Sequence, residues 1–143
     1  MVPSTESEVR ALLDRQFDAM RQKDIDRLMA LYADDVVYFD VVPPLRFDGP
    51  DALRARFTHW FDSYRSEIAM EMRDLHIVAR GDLAVAFWLS RSSGTLKDGR
   101  QVGAWVRATS CCLQSAGGWS IVHEHISLPV DLESGTAVRD LVP

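Results

Sequence analysis

The alternation of apolar and polar positions divides the chain into a helical first part and a strand-rich second part. In the first part, apolar residues recur every three or four positions, which is the spacing of an amphipathic helix. This pattern predicts one helix from Thr5 to about Gln22, a second one after Asp24 and a third one opening near Gly49. Thr5 has capping-box spacing to Glu8, and Asp24 is a residue type that often caps helices.

From Glu67 onward the apolar period changes to two, which predicts β-strands separated by glycine-containing turns. We expect four such strands, at about residues 68–79, 83–93, 101–114 and 119–128. A short earlier strand, Val36 to Asp40, lies between the second and third helices. Helices followed by a run of antiparallel strands are typical of an α+β fold. We therefore predict a single domain over residues 1–129, with a curved antiparallel sheet wrapped around three N-terminal helices, and a polar C-terminal tail over residues 130–143.

The early strand ends in a carboxylate that shares a face with an aromatic residue. Side chains alternate along a strand, so Tyr38 and Asp40 point to the same side. If that side is buried, the pKa of the carboxyl rises because its charged form is disfavoured among apolar walls, and Asp40 can then carry protons. The alternative is that Asp40 only ends the strand and caps the turn at Pro43-Pro44, since aspartate is common in turns.

The last predicted strand carries two histidines on one face. Strict alternation puts His123, His125 and Ser127 together. Glu124 then faces the opposite side. Two histidines two positions apart can bind a metal, join a hydrogen-bond network or stand in solvent. A metal site needs at least three converging ligands, and Asp40 is the only obvious third one, so we predict no metal site.

The two preceding strands each divide into a small or aliphatic face and a second, bulkier face. Small and aliphatic side chains suit the concave side of the sheet, against the helices, so we expect Ser110 and Phe87 there. Trp88, Trp105 and Arg107 then stand on the convex side. Aromatic residues and arginine on an outer sheet face are typical of a protein interface, which predicts a homodimer. The alternative is a set of scattered surface aromatics, which are common singly.

Composition and charge exclude several classes of protein. The 143 residues are 47% hydrophobic and 26% charged, as in a soluble globular domain. The net charge of −5 argues against nucleic acid or an anionic membrane as the main partner. No apolar run reaches the ~20 residues of a membrane span. The N-terminus lacks a signal-peptide pattern, so we expect a cytoplasmic protein. The adjacent Cys111 and Cys112 would face opposite sides of a strand and stay reduced.

Several segments together resemble the nuclear transport factor 2-like superfamily. They are the order of the elements, the segment LYADDVVYFD at residues 31–40, Gly49 at the third helix and the strand GWSIVHEHIS at residues 118–127. The superfamily includes the ketosteroid isomerases, the SnoaL-like polyketide cyclases and the association domain of calcium/calmodulin-dependent kinase. The resemblance covers roughly residues 8–129. It implies a cone-shaped sheet and leaves the activity open, because this scaffold hosts many functions.

The resemblance also assigns roles to individual positions. The general base of the isomerases ends a very similar segment, and the matching residue here is Asp40. The tyrosine and the protonated aspartate of the isomerases' oxyanion hole fall on Gln16 and on or beside Ser110. Because both donors are missing, steroid isomerisation by that route is not expected. The same counting places His123 and His125 on the side of the last strand that faces the pocket.

Three functional hypotheses follow. The first is an isomerase, cyclase or lyase that moves a proton on an enolisable substrate, with Asp40 as base and His125, alone or with His123, as acid or oxyanion donor. The predicted substrate-binding residues are Tyr38, Gln16, Phe57, Trp60, Phe87, Ser110 and Ser127. The second is a non-catalytic ligand-binding or oligomerisation domain resembling the kinase association domain. The third is a structural dimer whose histidines are satisfied core residues. The expected ligand is a small hydrophobic or carboxylate-bearing molecule, and no metal or organic cofactor is implied.

Overall fold

The computed structural model describes residues 2–143 and contains three helices and eight strands, all of them within that range. The elements in chain order are α1 (Thr5–Arg21), α2 (Ile25–Met29), β1 (Tyr32–Phe39), β2 (Phe47–Asp48), α3 (Gly49–Asp62), β3 (Ala69–Arg80), β4 (Leu83–Thr95), β5 (Gln101–Ser115), β6 (Gly118–Ser127), β7 (Val130–Asp131) and β8 (Thr136–Ala137). The three helices and the four long strands follow the predicted periodicities closely. No helix in residues 2–143 combines the length and the apolar character needed to span a membrane.

Side-chain caps explain where the first two helices begin. Ser4, and not Thr5, caps α1, because its hydroxyl accepts a hydrogen bond from the backbone N–H of Ser7 at 3.1 Å. Asp24 caps α2 as predicted, and its Oδ1 accepts from the backbone N–H of Arg27 at 3.1 Å. These caps satisfy N–H groups that have no partner inside a helix.

The main sheet has six strands in the order β2-β1-β6-β5-β4-β3, and the predicted α+β class is confirmed. The expectation of a fully antiparallel sheet needs one correction, because β1 runs parallel to β6. Parallel neighbours require a long crossover connection, and here the chain between β1 and β6 supplies it. As a result, the end of β1 lies beside His125 of β6, so Asp40 emerges at the same edge where β6 ends.

A β-bulge in β6 changes which of its side chains face inward. Cys111 of β5 pairs with His123, whereas the next residue, Cys112, pairs with Ile121, so Val122 is an extra residue in β6. The alternation therefore slips by one position between Ile121 and His123. Ile121 and Glu124, three positions apart, both point to the concave side and are buried.

The core lies between the concave face of the sheet and the helices. Helix α1 packs against β3 and β6, and α3 packs against β1. Leu12, Leu28, Leu53 and Ile121 belong to one cluster of buried apolar side chains. Beyond the sheet, β7 and β8 form a small separate hairpin in the segment predicted to be a polar tail.

The end of β4 is tied to the segment that follows α3. The backbone carbonyl of Thr95 accepts hydrogen bonds from the N–H groups of Arg65 and Ser66, and the Ser66 hydroxyl accepts from the N–H of Thr95 at 2.8 Å. Gly94 lies under this segment. A Cβ at Gly94 would come within 2.7 Å of Ser66 Oγ and 2.9 Å of the Glu67 carbonyl oxygen.

We expect Gly94→Ala to lower the free energy of unfolding by about 1–3 kcal/mol, because the added methyl group overpacks this contact. Gly117→Ala is the matched control, since the nearest atom to its new Cβ would be Ser115 Oγ at 3.9 Å. The control should change stability by no more than about 0.5 kcal/mol. Urea unfolding of the two variants measures the difference, and equal stabilities would show that Gly94 is not closely packed.

Candidate functional site

A cavity of about 140 Å³ lies between α1, α3 and the concave face of the sheet. Its apolar lining residues are Phe17, Met20, Val41, Phe57, Trp60, Met70, Val106, Ala108 and Ile126. Its remaining lining residues, which carry polar groups, are Gln16, Tyr38, Asp40, Arg56, Trp88, Ser90, Ser92 and Glu124. The cavity thus brings together five residues predicted from the sequence, which are Gln16, Tyr38, Asp40, Phe57 and Trp60.

Asp40 follows the last residue of β1 and faces this cavity with both carboxylate oxygens held. Its Oδ1 accepts a hydrogen bond from the backbone N–H of Val41 at 2.6 Å. Its Oδ2 accepts from Nε of Arg56 at 2.8 Å, and only 8% of the Asp40 side chain is exposed. Asp40 therefore follows directly on β1 and lines the cavity. The expectation of a carboxylate surrounded only by apolar walls was incomplete, because Arg56 provides a cationic partner.

Arg56 lies on α3 and is a site residue that the sequence analysis missed. It stands three positions after Leu53 and four before Trp60, on the side of the helix that faces the cavity. This helical spacing indicates that Arg56 lies on the same side of α3 as Leu53 and Trp60, and it could have identified Arg56 from the sequence. Only Nε of Arg56 is hydrogen bonded within residues 2–143, so its two terminal nitrogens keep donors for a ligand.

Tyr38 places a hydroxyl beside the ion pair. Its side chain is buried, lines the cavity and makes no hydrogen bond to another side chain or backbone group of residues 2–143. Burial, reinforced by the nearby carboxyl groups of Glu124 and Asp40, raises the pKa of Tyr38 well above its usual value. The phenol therefore stays protonated at neutral pH and can donate a hydrogen bond to a ligand oxygen.

Glu124 forms the polar floor of the cavity and is only 1% exposed. Nε2 of Gln16 donates to Oε1 at 3.0 Å and to Oε2 at 2.9 Å. The Tyr32 hydroxyl donates to Oε1 at 2.8 Å, and the Ser110 hydroxyl donates to Oε2. The resemblance assigned Gln16 and Ser110 to the positions of an oxyanion hole. In the structure these two side chains instead donate hydrogen bonds to the carboxyl group of Glu124. Burial raises the pKa of the Glu124 carboxyl, although the hydrogen bonds from Ser110, Gln16 and Tyr32 act in the opposite direction.

The assumption of strict alternation along β6 placed Glu124 on the wrong side of the sheet in the sequence analysis. The β-bulge at Val122 turns Glu124 inward, and a bulge has no clear signature in a single sequence. One signal was present, because Ile121 and Ile126 are both apolar and lie five positions apart. Two apolar residues at an odd separation can share the inner face of one strand only if the alternation slips between them.

The predicted placement of His123, His125 and Ser127 in the pocket is wrong. The ring centroids of both histidines lie near Phe39, at 4.8 Å and 5.3 Å, on the outer side of the sheet. The His123 Nδ1 lies 2.7 Å from the carbonyl oxygen of Val37. The Ser127 hydroxyl accepts a hydrogen bond from Nε of Arg107 at 3.1 Å, which occupies it on the same outer side. The bulge in β6 is the reason for this exchange of faces.

The predicted positions of Phe87 and Trp88 are exchanged as well. Trp88 is 5% exposed and lines the cavity, whereas Phe87 is 42% exposed and stacks on His76 with ring centroids 5.1 Å apart. The face was predicted from side-chain size on one strand alone. The register pairs Trp88 with Ala108, and this small neighbour leaves room for the indole ring on the concave side.

Two expected outer residues are correctly placed on the convex face. Arg73 of β3 stacks its guanidinium 5.9 Å from the ring centroid of Trp105, in a cation–π arrangement. Arg107 is exposed beside it in the same strand. Within residues 2–143, no three histidine, cysteine, aspartate or glutamate side chains converge to hold a metal ion.

The two cysteines are free thiols, as expected from their opposite orientations. Cys112 is buried on the inner side, and burial raises its pKa to about 12. A thiol with such a pKa has almost no thiolate at neutral pH and is not a nucleophile.

One protein-family model matches most of the chain. A family model described as the SnoaL-like domain matches residues 9–131. The chain belongs to the SnoaL-like domain family. A comparison with curated protein sequences gave no match.

Solved structures confirm the nuclear transport factor 2-like fold of this SnoaL-like domain. It is 36% identical to an NTF2-like protein of unknown function from Pseudomonas putida KT2440, covering 98% of this chain and 99% of that one, with a TM-score of 0.88. A nuclear transport factor 2 (NTF2-like) superfamily protein from Salmonella enterica is 17% identical over 93% of this chain and 96% of that one, with a TM-score of 0.80. A ketosteroid isomerase-like protein from Erwinia carotovora atroseptica is 24% identical over 85% and 93% of the two chains, with a TM-score of 0.69.

We expect Glu124→Gln to change how the stability of this SnoaL-like domain depends on pH. The folded protein holds a proton on Glu124 to a higher pH than the unfolded chain, whose glutamate titrates near 4.5. Above that pH the unfolded chain binds fewer protons, so the contribution of Glu124 to stability falls as pH rises through its raised pKa. Glu124→Gln removes this decline.

Thermal unfolding from pH 4 upward measures the effect. The difference in Tm between Glu124→Gln and the unmodified protein should shift in favour of the variant as pH rises. Glu6→Gln, which removes an exposed carboxylate, serves as the control and should follow the unmodified protein. Parallel curves for Glu124→Gln and the unmodified protein would contradict a raised pKa.

Proposed function

We propose that this SnoaL-like domain is a cofactor-independent isomerase, cyclase or lyase that moves a proton on an enolisable organic substrate. Asp40 is the base. The observation that carries the proposal is that its carboxylate is fixed by Val41 and Arg56 at the edge of a cavity whose other walls are mostly apolar. A fixed carboxylate facing a bound carbonyl compound can take a proton from the carbon next to the carbonyl and return it elsewhere on the same molecule.

The negative charge of the resulting enolate needs donors, and two are in place. The Tyr38 hydroxyl stays protonated and has no partner within residues 2–143. The terminal nitrogens of Arg56 also keep free donors beside Asp40. These groups take the role that the sequence analysis gave to His125 and His123, which lie outside the cavity. Donors held in position before the charge develops are an effective form of transition-state stabilisation.

The Erwinia protein, named as ketosteroid isomerase-like, shares the fold and so supports the reaction class by analogy only. A second candidate function is a non-catalytic ligand-binding domain. The specific observation in its favour is the ion pair itself, since Arg56 occupies Oδ2 of Asp40. A carboxylate-bearing ligand bound to the free nitrogens of Arg56 would need no proton transfer.

Hydrogen–deuterium exchange of small cyclic ketones in D₂O, followed by NMR, tests the base. We expect Asp40→Asn to slow exchange at the carbon next to the carbonyl by about 10²-fold or more, because the amide cannot take the proton. Asp35→Asn is the matched control, since Asp35 is an exposed aspartate of β1. Ligand-induced thermal stabilisation without any exchange would support the binding domain instead.

The homodimer stays a prediction, and the surface expected to form it differs from the surface predicted from the sequence by one aromatic residue. Trp105 and Arg107 lie on the outer side of the sheet, and Phe87 replaces Trp88 as the exposed aromatic residue there. If this face meets a second copy, Trp105→Glu places an uncompensated charge in the interface and should give monomers. Sedimentation measurements check this, with Asp35→Asn as a control. Dimers that persist in Trp105→Glu would show that another face mediates association.

A further inference from the structure

Strand β4 carries a row of polar groups along the cavity that neither the fold nor the proposed base uses. Trp88, Ser90 and Ser92 occupy alternate positions and all line the cavity. Ser90 is 7% exposed and makes no side-chain hydrogen bond within residues 2–143. The indole Nε1 of Trp88 is fully buried and has no hydrogen-bond partner there. A buried polar group without a hydrogen bond is costly, so the unpartnered indole nitrogen of Trp88 needs an explanation, and the free hydroxyl of Ser90 lies two positions further along the same strand.

The hydrogen-bonding properties of Trp88, Ser90 and Ser92 determine which kind of ligand group could bind to them. An indole nitrogen can only donate, and a serine hydroxyl can donate as well as accept. Arg56, the cation of the cavity, also favours an electron-rich ligand. The partner of the row is therefore a hydrogen-bond acceptor, namely a carbonyl or carboxylate oxygen.

The register places this row opposite the base, across an apolar stretch. β4 is separated from β1 by β5 and β6, which is three interstrand spacings of about 4.8 Å each. Trp88 pairs with Ala108, and Ala108 pairs with Ile126, so the direct path across the intervening strands is apolar. Val106 lines the cavity on one side of this path, and Glu124, which pairs with Ser110, lines it on the other. A ligand that reaches both sides therefore has an oxygen at each end and an apolar middle.

The size of the cavity limits that middle part. Its volume is about 140 Å³, and a dry cavity of ~150 Å³ accommodates benzene. One six-membered ring fits such a space.

We propose that the substrate is a single-ring ketone with a second oxygen acceptor at the opposite end of the ring, bound by the β4 row. This proposal rests on the proposed function for the orientation of the ketone toward Asp40. The β4 row fixes the far end of the ring, so Ser90 and Trp88 act as specificity determinants and take no part in proton transfer.

Binding measurements test the row independently of catalysis. Three probes share a cyclohexanone ring and differ in the group at the opposite carbon, and they are 4-acetylcyclohexanone, 4-oxocyclohexanecarboxylate and 4-methylcyclohexanone. We expect Ser90→Ala to weaken binding of an acceptor-bearing probe by about 3- to 10-fold, the usual effect of losing one hydrogen bond. Binding of the methyl probe should stay unchanged. Comparing the acetyl and carboxylate probes shows which acceptor the row prefers.

Ser93→Ala is the control, because Ser93 lies on the same strand outside the cavity lining. Trp88→Phe, which removes the indole donor and keeps an aromatic ring, should reproduce the selective loss. Thermal unfolding confirms that each variant is folded. The proposal is overturned if all three probes lose affinity equally, if Ser90→Ala and Trp88→Phe bind like the unmodified protein, or if neither acceptor-bearing probe binds.

The same probes separate failure of this proposal from failure of the proposed function. Selective loss of binding in Ser90→Ala, with no deuterium exchange by any variant, would retain the β4 row and reject the base. Exchange that depends on Asp40 but is the same in Ser90→Ala would retain the base and reject the row.

Discussion

Burying the carboxyl group of Glu124 requires hydrogen-bond donors from several elements, and this requirement organises the inside of the protein. Gln16 reaches it from α1, Tyr32 from β1 and Ser110 from β5. An unsatisfied buried carboxylate costs several kcal/mol, so these elements are held to one another as well as to the apolar core. The orientation of α1 over the sheet, and with it one wall of the cavity, depends on this cluster.

The cavity contains a second carboxylate whose burial is compensated differently. Glu124 is surrounded by neutral donors, whereas Asp40 is paired with the guanidinium of Arg56. Neutral donors act over short distances, but a cation also attracts any anion that enters the cavity. The two acidic groups therefore have different roles, which depend on where each lies in the cavity. One belongs to the floor and holds helix and sheet together, and the other lies at the edge, where a ligand can reach it.

The periodicity of apolar residues was sufficient to predict the helices and the four long strands, because their apolar patterns are regular. It also placed Asp40 and Tyr38 on the inner face, since β1 alternates plainly from Val36 to its end. Alternation failed in β6, where the bulge at Val122 moved Glu124 inward and the histidines outward. It failed in β4 for another reason. Whether Trp88 or Phe87 fits inside depends on the neighbour across the strand, and that neighbour, Ala108, is known only once the register is known.

The parallel pairing of β1 with β6 has a consequence for how the protein forms its site during synthesis. Gln16 and Glu124 are 108 positions apart, and the last long strand must dock before the floor of the cavity exists. Contacts between such distant positions require the closure of a long loop, which slows folding. A nascent chain can assemble its helices and the hairpins of β3, β4 and β5 earlier, but the floor of the cavity forms only after β6 docks. The cavity is therefore complete only after nearly the whole chain has been made.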